Sequence, residues 1–218
     1  MAMNFFGTWV IAAFFGLASF GDTTMETVKK NLIETVKYLT EETGPRSYRD
    51  LQKLNRSADY IEGRFRSYGL EVRRQTFTYG GNSYYNIITE VKGIEDSSEG
   101  LLVIGAHYDT VKDTPGADDN ASGVAGLLEL ARLTALRPMK RTVRFVAFTL
   151  EEPPAFMTRN MGSYVYAKSL KEQGTKVYGM ISLEMLGYFS DKKGSQYYPS
   201  SLFKLFYPDR GDFISFVG

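Results

Sequence analysis

Four short stretches of the chain hold residues that could do chemistry together. "AHYDT" (106–110) carries His107 and Asp109, and "PGADDNASG" (115–123) carries Asp118 and Asp119. "LEEPP" (150–154) carries Glu151 and Glu152, and "SLEML" (182–186) carries Glu184. Singly, each has a plain explanation. A histidine after a strand is usually a hydrogen-bonded loop residue. Asp118, Asp119 and Asn120 read as a cap and first-turn acids complementing a helix dipole. Glu-Glu before Pro-Pro reads as a solvated turn. Together they are harder to dismiss, because carboxylates gathered at one place raise each other's pKa unless a positive charge sits among them. None of the four stretches contains Lys or Arg, so the economical counter-charge is a divalent cation.

The chain has one histidine and no cysteine, which limits such a site to carboxylate oxygens and a single imidazole. That donor set suits zinc or another borderline divalent metal. Asp109, two positions after His107, can accept the other ring N–H and fix the tautomer. Glu151 and Glu152 are neighbours just past a strand, where consecutive side chains diverge. One can bind metal while the other handles a proton.

The elements that must deliver these residues follow from periodicity. Val28, Leu32, Val36 and Leu39 make an amphipathic stripe over 25–41, and Leu54, Ala58, Ile61, Phe65 and Tyr68 make a second that ends at Gly69. Residues 71–79 and 86–92 alternate as strands do. "LLVIGAH" (101–107) is a continuous apolar run expected in a central strand buried on both faces. Helix 121–136, strand 142–150, helix 162–173 and strand 177–185 complete a βαβαβ alternation, with a further strand expected at 212–217. The prediction is an α/β fold, three-layer α/β/α, with a mostly parallel mixed sheet. In such a sheet ligands bind outside the carboxyl ends of the strands, where His107, Glu151, Glu152 and Glu184 all fall.

Composition agrees with a folded domain: 218 residues, 43% hydrophobic and 23% charged. With 26 basic against 25 acidic residues the net charge is +1, and no basic block tracks a phosphate backbone, so nucleic acid is not an expected partner. Residues 1–20 are apolar and uncharged in their side chains. They read as a leader or signal peptide (1–24), implying export to the periplasm or medium. Translation from Met25 would instead imply a cytoplasmic protein. No stable membrane span is expected from so short a run.

With "TGPR" (43–46) and "YYNII" (84–88) in order before them, "AHYDT", "PGADDNASGVAGLLELA", "TLEEPP" with "MGSYVYA", and "ISLEMLGY" resemble the co-catalytic zinc peptidases. That family includes bacterial aminopeptidases, glutamate carboxypeptidases and glutaminyl cyclases. The resemblance covers roughly residues 30–218, with residues 25–218 as the catalytic domain. It implies a zinc-dependent exopeptidase, of the aminopeptidase type, acting on peptide substrates through a hydroxide held between two zinc ions. His107 and Glu184 would bind the first zinc, Glu152 the second, and Asp118 would bridge them. Glu151 would be the general base and Asp109 the partner of His107, with a cis peptide expected at Asp118–Asp119.

The chain departs from that pattern in two ways. Glu184 stands where relatives often have Asp. A second histidine, expected near the C-terminal end of the family fold, has no counterpart here. The expectation is therefore a domain lacking its C-terminal part, with the first zinc site intact in type and the second short of a ligand, so that one ion or none is held. The same departure keeps open an inactive homologue or a non-catalytic binding domain on the peptidase scaffold, and further off a cyclase-like acyltransferase.

Overall fold

The structure is a computed structural model describing residues 22–95, 99–198 and 200–217; the apolar stretch 1–20 lies outside them. Helix α1 (Asp22–Lys37) runs three residues earlier than its apolar stripe requires and continues through a wider turn, Tyr38–Thr43. Helix α2 (Leu51–Ser67) starts where the Asp50 carboxylate accepts the Lys53 N–H, an N-cap that satisfies one orphan donor of the first turn. Its apolar face, Leu54, Ala58, Ile61 and Phe65, is fully buried.

Strands β1 (Val72–Tyr79) and β2 (Asn82–Val91) form an antiparallel hairpin. Gly80 and Gly81 close it at φ of 55° and 80°, the left-handed pair that a two-residue hairpin turn needs. Strand β3 (Leu101–His107), helix α3 (Gly123–Leu136), strand β4 (Val143–Phe148), helix α4 (Gly162–Glu172) and strand β5 (Val177–Ser182) follow.

The sheet order is β1-β2-β4-β3-β5; β2 is antiparallel to both neighbours, whereas β4, β3 and β5 are mutually parallel. The sheet is thus mixed, as expected, but β4 takes the middle and β3 lies beside it. Alternation along the strands splits the core into two layers. Ile87, Ile104, Ala106, Val143, Phe145 and Ala147 pack under α2 and α3. Ile88, Leu101, Val103, Val146 and Phe148 pack under Tyr166 and Leu170 of α4. Helices therefore cover both faces.

This arrangement fixes where a site can form. The chain leaving β3 goes to α3 on one face, and the chain leaving the adjacent β4 goes to α4 on the other. The two connections part at the carboxyl ends of the strands and open a crevice there, a topological switch point.

The strand expected at 212–217 does not form. Gly211 makes one antiparallel bridge to Ser190, and the residues after it run without a ladder because no neighbouring strand takes up their N–H and C=O groups. Strand β5 is the sheet edge, and its Val177, Tyr178, Met180 and Ile181 are exposed. No helix among the described residues is long and apolar enough to cross a membrane.

Candidate metal centre

His107 closes β3 with its side chain 3% exposed, at the floor of the crevice. Its Nε2 lies 3.1 Å from Asp119 Oδ1, 3.4 Å from Glu184 Oε2 and 3.8 Å from Glu151 Oε2. Three carboxylates from three separate connections thus converge on one imidazole nitrogen. They leave the ring buried and their own outer edges wet, Asp119 and Glu184 being about half exposed.

Asp109 is fully buried and ties β3 to β4. Its Oδ1 accepts the Glu151 N–H and its Oδ2 the Glu152 N–H, each at 3.1 Å. The same Oδ1 lies 3.5 Å from His107 Nδ1, long for a hydrogen bond, and Nδ1 has no other partner. The carboxylate expected to orient His107 therefore also sets the backbone of the glutamate pair. Leu150, just before Glu151, and Met185, just after Glu184, hold φ of 57° and 47°. Such conformations cost about 1–3 kcal/mol in side-chain-bearing residues and collect at functional sites.

The Ala117–Ser122 turn corrects one expectation. Asp118 does not face the histidine: its Oδ1 accepts the Gly187 N–H at 2.7 Å and lies 3.3 Å from the Ser122 hydroxyl. Asp119 occupies the place expected of Asp118. Adjacent side chains in this non-helical turn (Asp119 φ −101°, ψ 94°) point apart, so only one of the pair can line the crevice. The cis peptide is correspondingly Asp119–Asn120, one bond later than expected; Pro153–Pro154 is also cis.

Asn120, which sequence reasoning gave no site role, is fully buried and uses both ends of its amide. Nδ2 donates to Leu183 O (2.9 Å) and Glu184 Oε2 (3.1 Å), while Oδ1 accepts from Gly123 N (3.0 Å) and Met185 N (3.3 Å). It caps the start of α3 and holds the Glu184 loop at once. Its place beside the paired aspartates, ahead of a helix, was the available signal.

The electrostatics follow from crowding. Burial disfavours the His107 imidazolium, but Asp109, Asp119 and Glu184 outweigh it and raise its pKa to about 12. The same contact from His107 holds Asp119 below the usual carboxylate range against burial. Glu152 is pushed up to about 7, first by burial and then by repulsion from Asp119. Glu151 is raised too, chiefly by burial, with His107 opposing. An acid cluster this crowded is one that a cation would relieve.

Two sets of ligand atoms lie close enough to share an ion: His107 with Asp119 and Glu184, and His107 with Glu151 and Glu152, within each set all inside 4.8 Å of one another. One imidazole nitrogen with carboxylate oxygens, on a crevice open to solvent, is a donor set that fits zinc with a free coordination position.

A mixed sheet covered by helices, with a histidine and acids gathered at its switch point, defines an α/β protein with a candidate metal site. Residues 86–207, more than half the chain, match the model of peptidase family M28, and the chain belongs to that family. An Escherichia coli (strain K12) relative, the uncharacterized protein YfbL, is 48% identical over 197 residues, spanning 87% of this chain and 59% of its own. A probable zinc metalloprotease of Pyrenophora tritici-repentis is 27% identical over 196 residues, 80% of this chain and 39% of its own. The chain thus spans about two-fifths to three-fifths of the length of these relatives. The zinc aminopeptidase BSAP of Bacillus subtilis shares the fold, with a TM-score of 0.66 at 18% identity over 77% of this chain and 71% of that one.

Proposed function

We propose that the chain carries the centre of a zinc-dependent exopeptidase of the aminopeptidase type, acting on peptide substrates. One observation carries the reading: Nε2 of the only histidine faces carboxylate oxygens from three different connections within 3.1–3.8 Å. His107, Asp119 and Glu184 would hold one zinc. Glu152 would serve a second, with Asp119 taking the role first expected of Asp118.

When bound, zinc supplies Lewis acidity toward the scissile carbonyl and lowers the pKa of water toward ~7. Glu151 acts as general base and then acid: it accepts the proton of the attacking water and hands it to the leaving amine. Desolvation raises the pKa of its partly buried carboxylate, the direction that strengthens a carboxylate as a proton acceptor. Asp109 fixes Glu151 by its backbone N–H, so the base is placed by the same group that stands behind His107. The aminopeptidase type is supported by the fold shared with BSAP, described as a zinc aminopeptidase.

The test is zinc per chain by elemental analysis of the full chain after dialysis against trace zinc, together with amino acid release from unblocked peptides. One tightly held ion fits the His107–Asp119–Glu184 set. Two would mean a further ligand joins Asp119 and Glu152. No bound zinc would overturn the reading.

A further inference from the structure

Arg46 is the largest fully buried side chain among the described residues, and it lies behind the crevice rather than in it. Its guanidinium donates to five backbone carbonyls: Nε to Tyr108 (2.8 Å), Nη1 to Leu39 (2.7 Å), Gly44 (3.1 Å) and Pro115 (2.7 Å), and Nη2 to Gly116 (3.2 Å). Its main chain is paired with Thr110 in both directions, Arg46 N to Thr110 Oγ1 at 2.9 Å and Thr110 N to Arg46 O at 3.3 Å. No carboxylate forms an ion pair with it among the described residues. Asp109 and Asp119 act on it by charge from beyond ion-pair distance, and a cation buried in this way is costly unless polar groups also surround it, which here the backbone carbonyls do.

The identity of those carbonyls gives the arrangement its meaning. Tyr108 lies between His107 and Asp109. Pro115 and Gly116 lead directly into the turn that carries Asp119, and Gly116 O also accepts the Ala121 N–H that closes that turn. One planar fork therefore spans the two segments whose separation sets the distance between His107 and Asp119. Gly116 shows how tight the join is: at φ 58°, a Cβ there would sit 2.3 Å from Thr110 Cγ2, 2.4 Å from Asp119 O and 3.0 Å from Arg46 Nη2.

We infer that Arg46 is a positioning residue for the metal centre, holding the His107–Asp109 segment and the Asp119 turn in ligating register through their backbone carbonyls. The inference rests on the metal reading above for its consequence, though not for its geometry. Lysine cannot replace Arg46, because its single ammonium presents three donors at one point whereas the guanidinium spreads five over a rigid plane.

The experiment compares the full chain with Arg46→Lys and with Phe65→Leu, a change to a buried apolar residue of α2 that removes no hydrogen bond and serves as a control for general destabilisation. Zinc affinity, melting temperature and the imidazole NMR signals of His107 are measured for each; as the only histidine, it reports on the crevice alone. Arg46→Lys is expected to weaken zinc roughly 10–100-fold, the usual loss when a group orienting ligands is removed, and to split or broaden the His107 signals before zinc is added. Phe65→Leu should lower the melting temperature while leaving both readouts near those of the unchanged chain. Arg46→Lys with zinc affinity within twofold of the unchanged chain and a single sharp His107 signal would overturn the inference, as would equal effects from the control. If Arg46→Lys does not fold, Arg46→Gln, which keeps a planar donor group but only two of the five N–H groups, is read in its place. Unaltered His107 signals in that variant would overturn the inference, and split ones would uphold it. Failure of the unchanged chain to bind zinc would count against the metal reading only, since the His107 signals still decide the role of Arg46.

Discussion

Asp118 accepts the backbone N–H of Gly187 at 2.7 Å and so braces the loop after β5 against the turn before α3. Its neighbour Asp119 is left to face His107 at 3.1 Å. Two adjacent aspartates of one type thus do different work, and substitution separates them. Asp118→Ala should cost about 1 kcal/mol, the low end for losing acceptors whose donors can reach water, with zinc affinity little changed. Asp119→Asn should weaken zinc more than tenfold, the scale of losing a ligand or its immediate support, with a smaller effect on unfolding. Urea unfolding and zinc titration of both variants check this; the reverse pattern would return Asp118 to the ligand set.

Glu151→Gln keeps the size of the side chain but cannot accept a proton. Zinc content should match that of the unchanged chain while peptide hydrolysis falls about 10²–10⁴-fold. The measurement is kcat beside metal stoichiometry on the same sample. Full activity would remove Glu151 from the mechanism.

Asn120→Asp is a near-isosteric change with a large expected cost. The Asn120 amide nitrogen donates to Leu183 O and Glu184 Oε2, and a carboxylate would set an acceptor against both, inside the fold and beside another negative charge. Losing two buried hydrogen bonds in this way should destabilise by at least about 2 kcal/mol. The urea midpoint at neutral pH reads it directly, and a midpoint equal to that of the unchanged chain would show the amide to be dispensable.

Away from the crevice, Glu62 accepts from Arg66 and from Arg74 (Nε at 2.5 Å), and Arg74 also pairs with Asp59. Burial raises the Glu62 pKa, but the two guanidinium groups outweigh it and hold the carboxyl below its ordinary value. The unfolded chain therefore binds that proton more readily than the folded one. The contribution is present above the ordinary carboxylate pKa and is lost as pH falls through the lower folded value. Relative to Glu62→Gln, the unchanged chain should be more stable by up to about 1 kcal/mol at pH 7. The difference should shrink as the pH falls below the ordinary carboxylate range, as followed by urea unfolding at several pH values.

Much of the fold could be read from periodicity, because burial on one face leaves a mark in sequence. The stripe Leu54–Ala58–Ile61–Phe65 announced α2, and the unbroken run 101–107 announced a strand covered on both sides. The strand expected at 212–217 shows the limit. Alternating apolar residues allow a strand, but a ladder requires a neighbour to pair with, and sequence pattern carries no information about that neighbour.

For the site, residue types alone determined that the chain places one imidazole and several carboxylates after successive strands, with no cation among them and no thiolate available. That was enough to indicate a borderline divalent metal. Only the tertiary structure decided which acid of each pair faces inward, since neighbouring side chains in a turn diverge by an angle that depends on backbone dihedrals and not on composition. It also brought in Arg46 and Asn120, whose contacts to Tyr108, Gly116 and Glu184 span 62, 70 and 64 residues of chain. Hydrogen bonds over such separations exist only once the sheet has placed its connections side by side, so a local sequence pattern does not contain them.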